Sequence, residues 1–150
     1  MQKLIDCYPY RRIESTLEYL ILQRSGSSSY AGQWRIVTGK VEEQETHYHA
    51  ALRELEEETG LEVRLLWSVP TVNSFYEPGE DRIMQAVPFA AECGAGATVK
   101  LDSEHSRLKW ITIDKIEIYI QWPEQARIMK MIHRLLNENQ LLDDWIIPLK

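Results

Sequence analysis

Apolar and polar positions alternate at two different periods along this chain, and the change of period marks its elements. Leu4–Ile13 and Leu17–Gln23 are dense in Leu, Ile and Tyr and predict two strands. Gln33–Thr38 predicts a third, short strand that stops at Gly39. From Thr46 to Thr59 the residues are strong helix formers (Ala, Leu, Glu, Arg), with Thr46 or Glu45 as cap and Gly60 placed to end the helix. Strand-like runs return at Glu62–Val69, Val72–Tyr76, Arg82–Glu92 and Arg107–Ile113. The turn Glu77-Pro78-Gly79-Glu80 and the Gly/Ala stretch Cys93–Ala97 separate them. Glu124–Leu136 carries apolar residues at Ile128, Met131, Ile132, Leu135 and Leu136, an amphipathic helix opened by Trp122-Pro123. Strands interrupted by one central helix and closed by another predict an α/β or α+β domain of layered α/β/α type.

The chain is 150 residues long, which suits one domain over residues 1–150 with room for a sizeable core. No repeat or interdomain linker is visible, and Ser25-Gly26-Ser27-Ser28-Ser29 predicts a flexible loop. No apolar run approaches the length of a membrane span and the N-terminus lacks the apolar core of a signal peptide, so a cytoplasmic protein away from membranes is expected. Cys7 and Cys93 are too few and too far apart for a disulfide framework and are expected as free, buried thiols.

Charge changes the picture most. The net charge is −6, yet Glu42, Glu43, Glu45, Glu54, Glu56, Glu57 and Glu58 stand against only Lys40 and Arg53 within residues 39–61. That segment carries −5, and the rest of the chain is close to neutral. With no Lys/Arg cluster able to follow a phosphate backbone, nucleic acid is not an expected partner. In a helix over Thr46–Thr59, Glu54, Glu57 and Glu58 sit at i, i+3 and i+4 on one face, together with His47, Ala50 and Ala51. Tyr48, Leu52 and Leu55 then form a separate stripe to bury against a sheet. Like charges at this spacing repel, and they crowd the helix end where the backbone dipole already disfavours anions. Two readings meet this: a solvated acidic face, or a site where hard divalent cations neutralise the carboxylates.

The spacing separates them. From Gly39 the chain reads GKVEEQETHYHAALRELEEETGL, which fits G-x5-E-x7-R-E-U-x-E-E-x-G-U, with U aliphatic, at Gly39, Glu45, Arg53, Glu54, Leu55, Glu57, Glu58, Gly60 and Leu61. A chance match is on the order of 10⁻⁷ from average residue usage. This is the Nudix box, and the chain resembles the Nudix hydrolase family. The resemblance implies a Nudix-type α/β/α sandwich with a mixed sheet, the central Nudix helix and a C-terminal helix. It also implies metal-dependent hydrolysis of a nucleoside diphosphate linked to a group X, with Mg²⁺ or Mn²⁺ as cofactor and a small-molecule nucleotide or pterin polyphosphate as partner. Carried over residue by residue, Glu54, Glu57 and Glu58 resemble the catalytic, metal-holding carboxylates. Gly39 would turn its carbonyl toward the metal, as glycine does cheaply. Glu45 and Arg53 would be a structural pair across the loop–helix junction.

Two segments outside the box, Trp34–Glu42 and Glu104–Trp110, resemble the bacterial dATP pyrophosphohydrolase group, which includes dihydroneopterin triphosphate pyrophosphatases. That likeness implies cleavage of a triphosphate to monophosphate and pyrophosphate. A dinucleoside-polyphosphate or nucleotide-sugar activity is the alternative, although Tyr76 and Pro78 do not fall in the registers typical of those types. A nucleotide-binding sensor without turnover is the alternative of another class. Glu104 is expected near the metals as ligand or general base, with Glu54 and Glu92 as competitors for the base. Trp34 and Tyr76 are candidates to stack a base, and Arg35, Lys40 and Arg82 to meet phosphates. His105 is expected to be solvated, with substrate contact as the alternative. His47 and His49, at i and i+2, face different sides of the helix and are not expected to pair on a metal. The apolar stretch Leu141–Lys150 either folds back on its own domain or forms the contact of a homodimer.

Overall fold

A computed structural model describes residues 2–26 and 30–149. Among the described residues, nine strands share one mixed sheet: β1 Leu4–Ile13, β2 Thr16–Arg24, β3 Trp34–Arg35, β4 Val37–Lys40, β5 Val63–Ser68, β6 Asn73–Glu77, β7 Arg82–Cys93, β8 His105–Ile111 and β9 Ile146–Ile147. Helix α1 spans His47–Thr59, the short α2 Ile116–Tyr119, and α3 Pro123–Asn137. The central path is β3-β2-β1-β7-β5-β9, with β4 paired to β1, β6 to β7 and β8 to β2. Strands β1 and β7 are parallel, and the other named pairs are antiparallel. This is an α+β layered architecture, as expected from the strand–helix order.

Side chains of successive strand residues enter opposite layers, as the period of two requires. Ile5 and Cys7 of β1, Leu20 and Leu22 of β2, and Phe89 and Ala91 of β7 pack under α1. Tyr8 and Tyr10, Tyr19 and Ile21, and Ala90 join Ile128, Met129 and Ile132 of α3 on the other side. Both faces of the sheet are therefore covered, which is why β1 and β2 read as nearly continuous apolar runs rather than as alternations. Cys7 and Cys93 are free and buried in the α1 layer.

Helix α1 is capped by Thr46, whose hydroxyl accepts the His49 N–H at 3.2 Å. It ends at Gly60, which takes the left-handed conformation with φ +70° and donates its N–H to Glu56 O. The face it buries differs from the expected stripe. Ala50, Ala51, Leu55, Glu58 and Thr59 are buried, while Tyr48 and Leu52 are only partly buried at its flank. Two alanines bring the helix backbone close to the sheet, and this rotates Glu58 into the interior.

One more difference concerns the second half. The strand expected over Arg107–Ile113 runs over His105–Ile111, and Ile113 opens a 3-10 stretch that leads into α2. The C-terminal stretch folds back as β9 on β5, with Ile146 opposite Trp67 and Ile147 opposite Leu66, leaving Leu142 and Leu149 exposed. Ser27, Ser28 and Ser29 of the expected loop, and Lys150, lie outside the described residues. No helix among the described residues is long and apolar enough to cross a membrane.

Candidate active site

Pairing of β4 with β1 places Gly39 opposite Ile5 at the edge of the sheet, directly facing α1. A Cβ built on Gly39 would run into the carboxylate end of Glu54. Gly39 is not among the residues with positive φ, so glycine is needed here for clearance. This corrects the expectation that its conformational freedom is what matters.

Arg53 ties the loop before α1 to the helix. Its Nε and Nη2 donate to the two oxygens of Glu45 at 2.8 and 3.0 Å, a bidentate pair, and Nη2 also donates to Lys40 O at 2.9 Å. Glu45 Oε1 in turn accepts the Glu42 N–H at 2.9 Å. With Arg53 beside it and this backbone donor, Glu45 is held down to a pKa of about 2. The remaining Arg53 nitrogen, Nη1, lies 3.3 Å from both Glu54 Oε2 and Glu57 Oε1.

Glu54, Glu57 and Glu58 line one cleft of about 690 Å³ with Glu42, Asp102, Glu104, Lys40, Arg24 and Arg53. Their exposures grade steeply: the Glu57 side chain is 56% exposed, Glu54 16% and Glu58 6%. Burial, then the charge and hydrogen bond of Glu54, then Asp102 and Glu104, push the Glu58 carboxyl up to about 10. Burial also raises Glu54, against the pull of Arg53. Glu104 is an exposed wall residue, with Arg24 Nη1 3.6 Å from its Oε1. Among the described residues, no three His, Cys, Asp or Glu side chains close into a ready coordination cluster. The donor set is nevertheless one of hard oxygens on one rim, with Glu58 buried beside Glu54. That chemistry suits Mg²⁺ or Mn²⁺ better than softer metals.

His105 overturns the expectation of a solvated ring. It is buried, with Nδ1 2.8 Å from Asp102 Oδ1 and Nε2 3.8 Å from Glu58 Oε1. Asp102 was missed by sequence reasoning altogether. Its signal was the spacing Asp102-x-x-His105, which sets both side chains across one turn before β8. Glu92 lies elsewhere, near Tyr10 and Arg12, and does not reach the cleft.

A second cavity, of about 310 Å³, adjoins the cleft and shares Gln2, Thr38, Gly39 and Lys40 with it. Arg35, Lys40 and Arg82, the three candidates to meet phosphates, line this cavity, and of the three Lys40 also lines the acidic cleft. Trp34 and Tyr76 do not, and strand alternation explains both corrections. On β6, Asn73, Phe75 and Glu77 point into the cavity and Tyr76 points away, bonding Asp81 at 2.8 Å. On β3, Arg35 faces the cavity, whereas Trp34 packs edge-on against Tyr119 under Lys109 and Arg107. The aromatic walls are instead Phe75 and Trp122, with ring centres 5.5 Å apart, joined by Tyr30. Trp122 is fixed by donating Nε1–H to Gln33 Oε1 at 2.8 Å.

The cavity also holds buried polar groups. Asp6 is 2% exposed and accepts from Asn73 Nδ2 at 2.6 Å and Tyr8 OH at 3.2 Å, both on Oδ2. Burial raises its pKa to about 6. Gln125, 1% exposed, has Oε1 buried without a hydrogen-bond partner among the described residues, and Arg35 Nε is in the same condition.

A family model described as NUDIX domain matches residues 10–132. An oxidized purine nucleoside triphosphate hydrolase from Mus musculus is 36% identical over 96 residues, covering 64% of this chain and 60% of that protein. The protein of the same name from Danio rerio is 36% identical over 94 residues, covering 63% and 58%. The chain thus spans about 60% of the length of these curated relatives. Among solved structures, a C. elegans Ap4A hydrolase binary complex superposes with a TM-score of 0.79 at 20% identity, covering 92% of this chain and 99% of that one.

Proposed function

Because the chain belongs to the NUDIX domain family, we propose that it is a metal-dependent hydrolase that cleaves a nucleoside triphosphate, or a pterin triphosphate, to the monophosphate and pyrophosphate. The observation that carries this reading is the junction of two unlike sites at Gly39 and Lys40: an acidic cleft suited to cation-bound phosphates, and an aromatic cavity suited to a heterocycle. The relatives named as oxidized purine nucleoside triphosphate hydrolases support the triphosphate class.

Glu54, Glu57 and Glu58 would hold the cation, with Gly39 keeping the approach to Glu54 open. A bound divalent ion supplies Lewis-acid polarisation of the phosphoryl oxygens and lowers the pKa of water. Arg53 and Glu45 fix the loop–helix junction, so the carboxylates are positioned before substrate arrives. Lys40, common to cleft and cavity, would meet the phosphates next to the nucleoside. In the reaction, a water oxygen bonds to phosphorus, the anhydride P–O bond breaks, and pyrophosphate leaves. Glu104, at the exposed side of the cleft, would take the water's proton.

Glu104→Gln is expected to lower kcat at least tenfold and to leave the melting temperature unchanged, because the carboxylate is exposed and its ion pair with Arg24 is long. Turnover at the wild-type rate would remove it as the base. Gly39→Ala is expected to cost at least a factor of ten in kcat as well, with only a small drop in melting temperature. The new methyl group meets the movable end of Glu54 rather than fixed backbone, so the side chain swings and the site suffers more than the fold. Both are read by pyrophosphate release with Mg²⁺ over dATP, dGTP, dihydroneopterin triphosphate, a dinucleoside tetraphosphate and a nucleotide sugar. Measurable binding with no turnover on any of these would favour a sensor.

A further inference from the structure

His105 is the first residue of β8, and simple alternation would turn it away from the acidic cleft. Arg107 and Lys109 stand on the α3 side of the sheet, over Trp34 and Tyr119, and His105 would follow them there. The ladder to β2 breaks that alternation. Gln23 lies opposite Arg107 but Arg24 lies opposite His105, so Ser106 is an extra residue and the register shifts between Gln23 and Arg24. The bulge brings His105 to the side of Leu20 and Leu22, under α1. There its ring stands between two carboxylates, with Nδ1 2.8 Å from Asp102 Oδ1 and Nε2 3.8 Å from Glu58 Oε1. The segment that carries Asp102 is tied down on both sides of it. Lys100 donates its N–H to Thr59 O at the end of α1, and Ser25 donates its N–H to Glu104 O, both at 2.8 Å.

The surroundings of the ring point to a task beyond packing. The His105 side chain is 1% exposed, and an apolar side chain would fill the same space without the cost of stripping water from an imidazole. Arg53 steadies Glu54 and Glu57, whereas the basic side chain beside Glu58 is His105. We infer that Asp102 and His105 are a positioning pair for Glu58: Asp102 sets the rotation of the ring, and the ring holds the Glu58 carboxylate turned toward the cleft beside Glu54. The inference rests on the proposed role of Glu58 in holding the cation. His105 does not itself line the cleft, so its effect reaches the cation through Glu58 and leaves the nucleotide contacts alone. Side chains that orient a ligand in this way act on metal affinity first.

The test is titration of Mn²⁺ alone into the full chain, followed by the paramagnetic resonance signal of the free ion, beside kcat and KM for dGTP over a range of Mg²⁺ concentrations. Asparagine and glutamine divide the ring between them. The amide nitrogen of asparagine reaches the place of Nδ1, toward Asp102, and that of glutamine the place of Nε2, toward Glu58. His105→Asn should weaken Mn²⁺ binding about tenfold or more and raise the Mg²⁺ needed for half-maximal kcat by a similar factor. KM for dGTP at saturating Mg²⁺ should stay within about twofold, because only the orientation of a metal ligand has changed. His105→Gln should recover Mn²⁺ affinity to within about threefold of the unaltered chain. Asp102→Ala frees the ring to turn and should lose as much as His105→Asn; it carries the same prediction if the buried substitutions fail to fold. Unchanged Mn²⁺ affinity in His105→Asn or in Asp102→Ala, equal losses in the asparagine and glutamine variants, or a loss confined to KM for dGTP would each overturn the inference. Mn²⁺ binding by the unaltered chain without turnover of any substrate would overturn the hydrolase reading and leave the positioning pair standing. No Mn²⁺ binding by the unaltered chain would overturn both.

Discussion

Glu58→Gln is expected to lower kcat by roughly 10²–10³-fold, the scale seen when one electrostatic contact to a reacting centre is deleted, while raising the melting temperature of the metal-free protein. The two effects have one origin. Glu58 is 4% exposed, and burial with the neighbouring Glu54 carboxylate lifts its pKa from 4.5 to about 10. Between those values the unfolded chain has lost the proton and the folded chain keeps it. Folding therefore takes up a proton, and stability falls as pH rises through this window. Below pH 4.5 both states are protonated and the penalty is absent. Glutamine keeps the shape and cannot ionise, so its advantage should be small at pH 5 and grow toward pH 9. Adding Mg²⁺ should reverse the order, raising the melting temperature of the wild type and hardly moving that of the variant. Thermal scans at pH 5, 7 and 9, with and without Mg²⁺, check this. An equal Mg²⁺ shift in both proteins, or turnover within threefold of wild type, would remove Glu58 from the site.

The strand and helix pattern was readable because each element is locally consistent. Thr46 and Gly60 cap α1 as their chemistry suggests, and β1 begins and ends where its apolar run does. The rest depended on contacts between distant segments. Whether Ala50–Ala51 or Tyr48–Leu52 faces the sheet is a question of how closely the helix can approach, and periodicity permits either. Trp34 and Tyr76 are the aromatics that a linear reading selects, yet the pleat assigns the cavity to their neighbours Arg35 and Phe75. One-residue alternation carries no hint of which face a ligand will use until pairing is known.

The acidic residues were visible for a different reason. Their spacing serves the chemistry of one helix face, so it survives in the linear chain. Asp6, Asn73 and Gln125 belong to three elements, and no spacing links them. A signal did exist in Asp6, a lone carboxylate inside the apolar run Leu4–Tyr10, because a buried carboxylate needs partners. His105 was misjudged because residues before a strand are usually solvated. Here the strand start lies beneath α1, between Asp102 and Glu58.

Removing divalent ions should end turnover altogether, and Mg²⁺ or Mn²⁺ should restore it. The reason is electrostatic. Among the described residues, the cleft is lined by six carboxylates, Glu42, Glu54, Glu57, Glu58, Asp102 and Glu104, against Arg24, Lys40 and Arg53. Arg53 is already committed to Glu45, Glu54 and Glu57, and Arg24 lies beside Glu104. A triphosphate brought to such a wall meets net repulsion, which grows as the cleft sheds water. A divalent ion, which Glu54, Glu57 and Glu58 would hold, would offset that repulsion with its charge. Arg53 Nη1 lies beside Glu54 and Glu57, and the bidentate bond to Glu45 holds its guanidinium in place. The expectation is therefore selective: Mg²⁺ should strengthen binding of a non-hydrolysable triphosphate at least tenfold and that of the monophosphate hardly at all. Titrations in EDTA and in Mg²⁺, beside the turnover assay, measure both. Turnover in EDTA, or an equal Mg²⁺ effect on both ligands, would mean that the carboxylates do not gather the cation that the phosphates require.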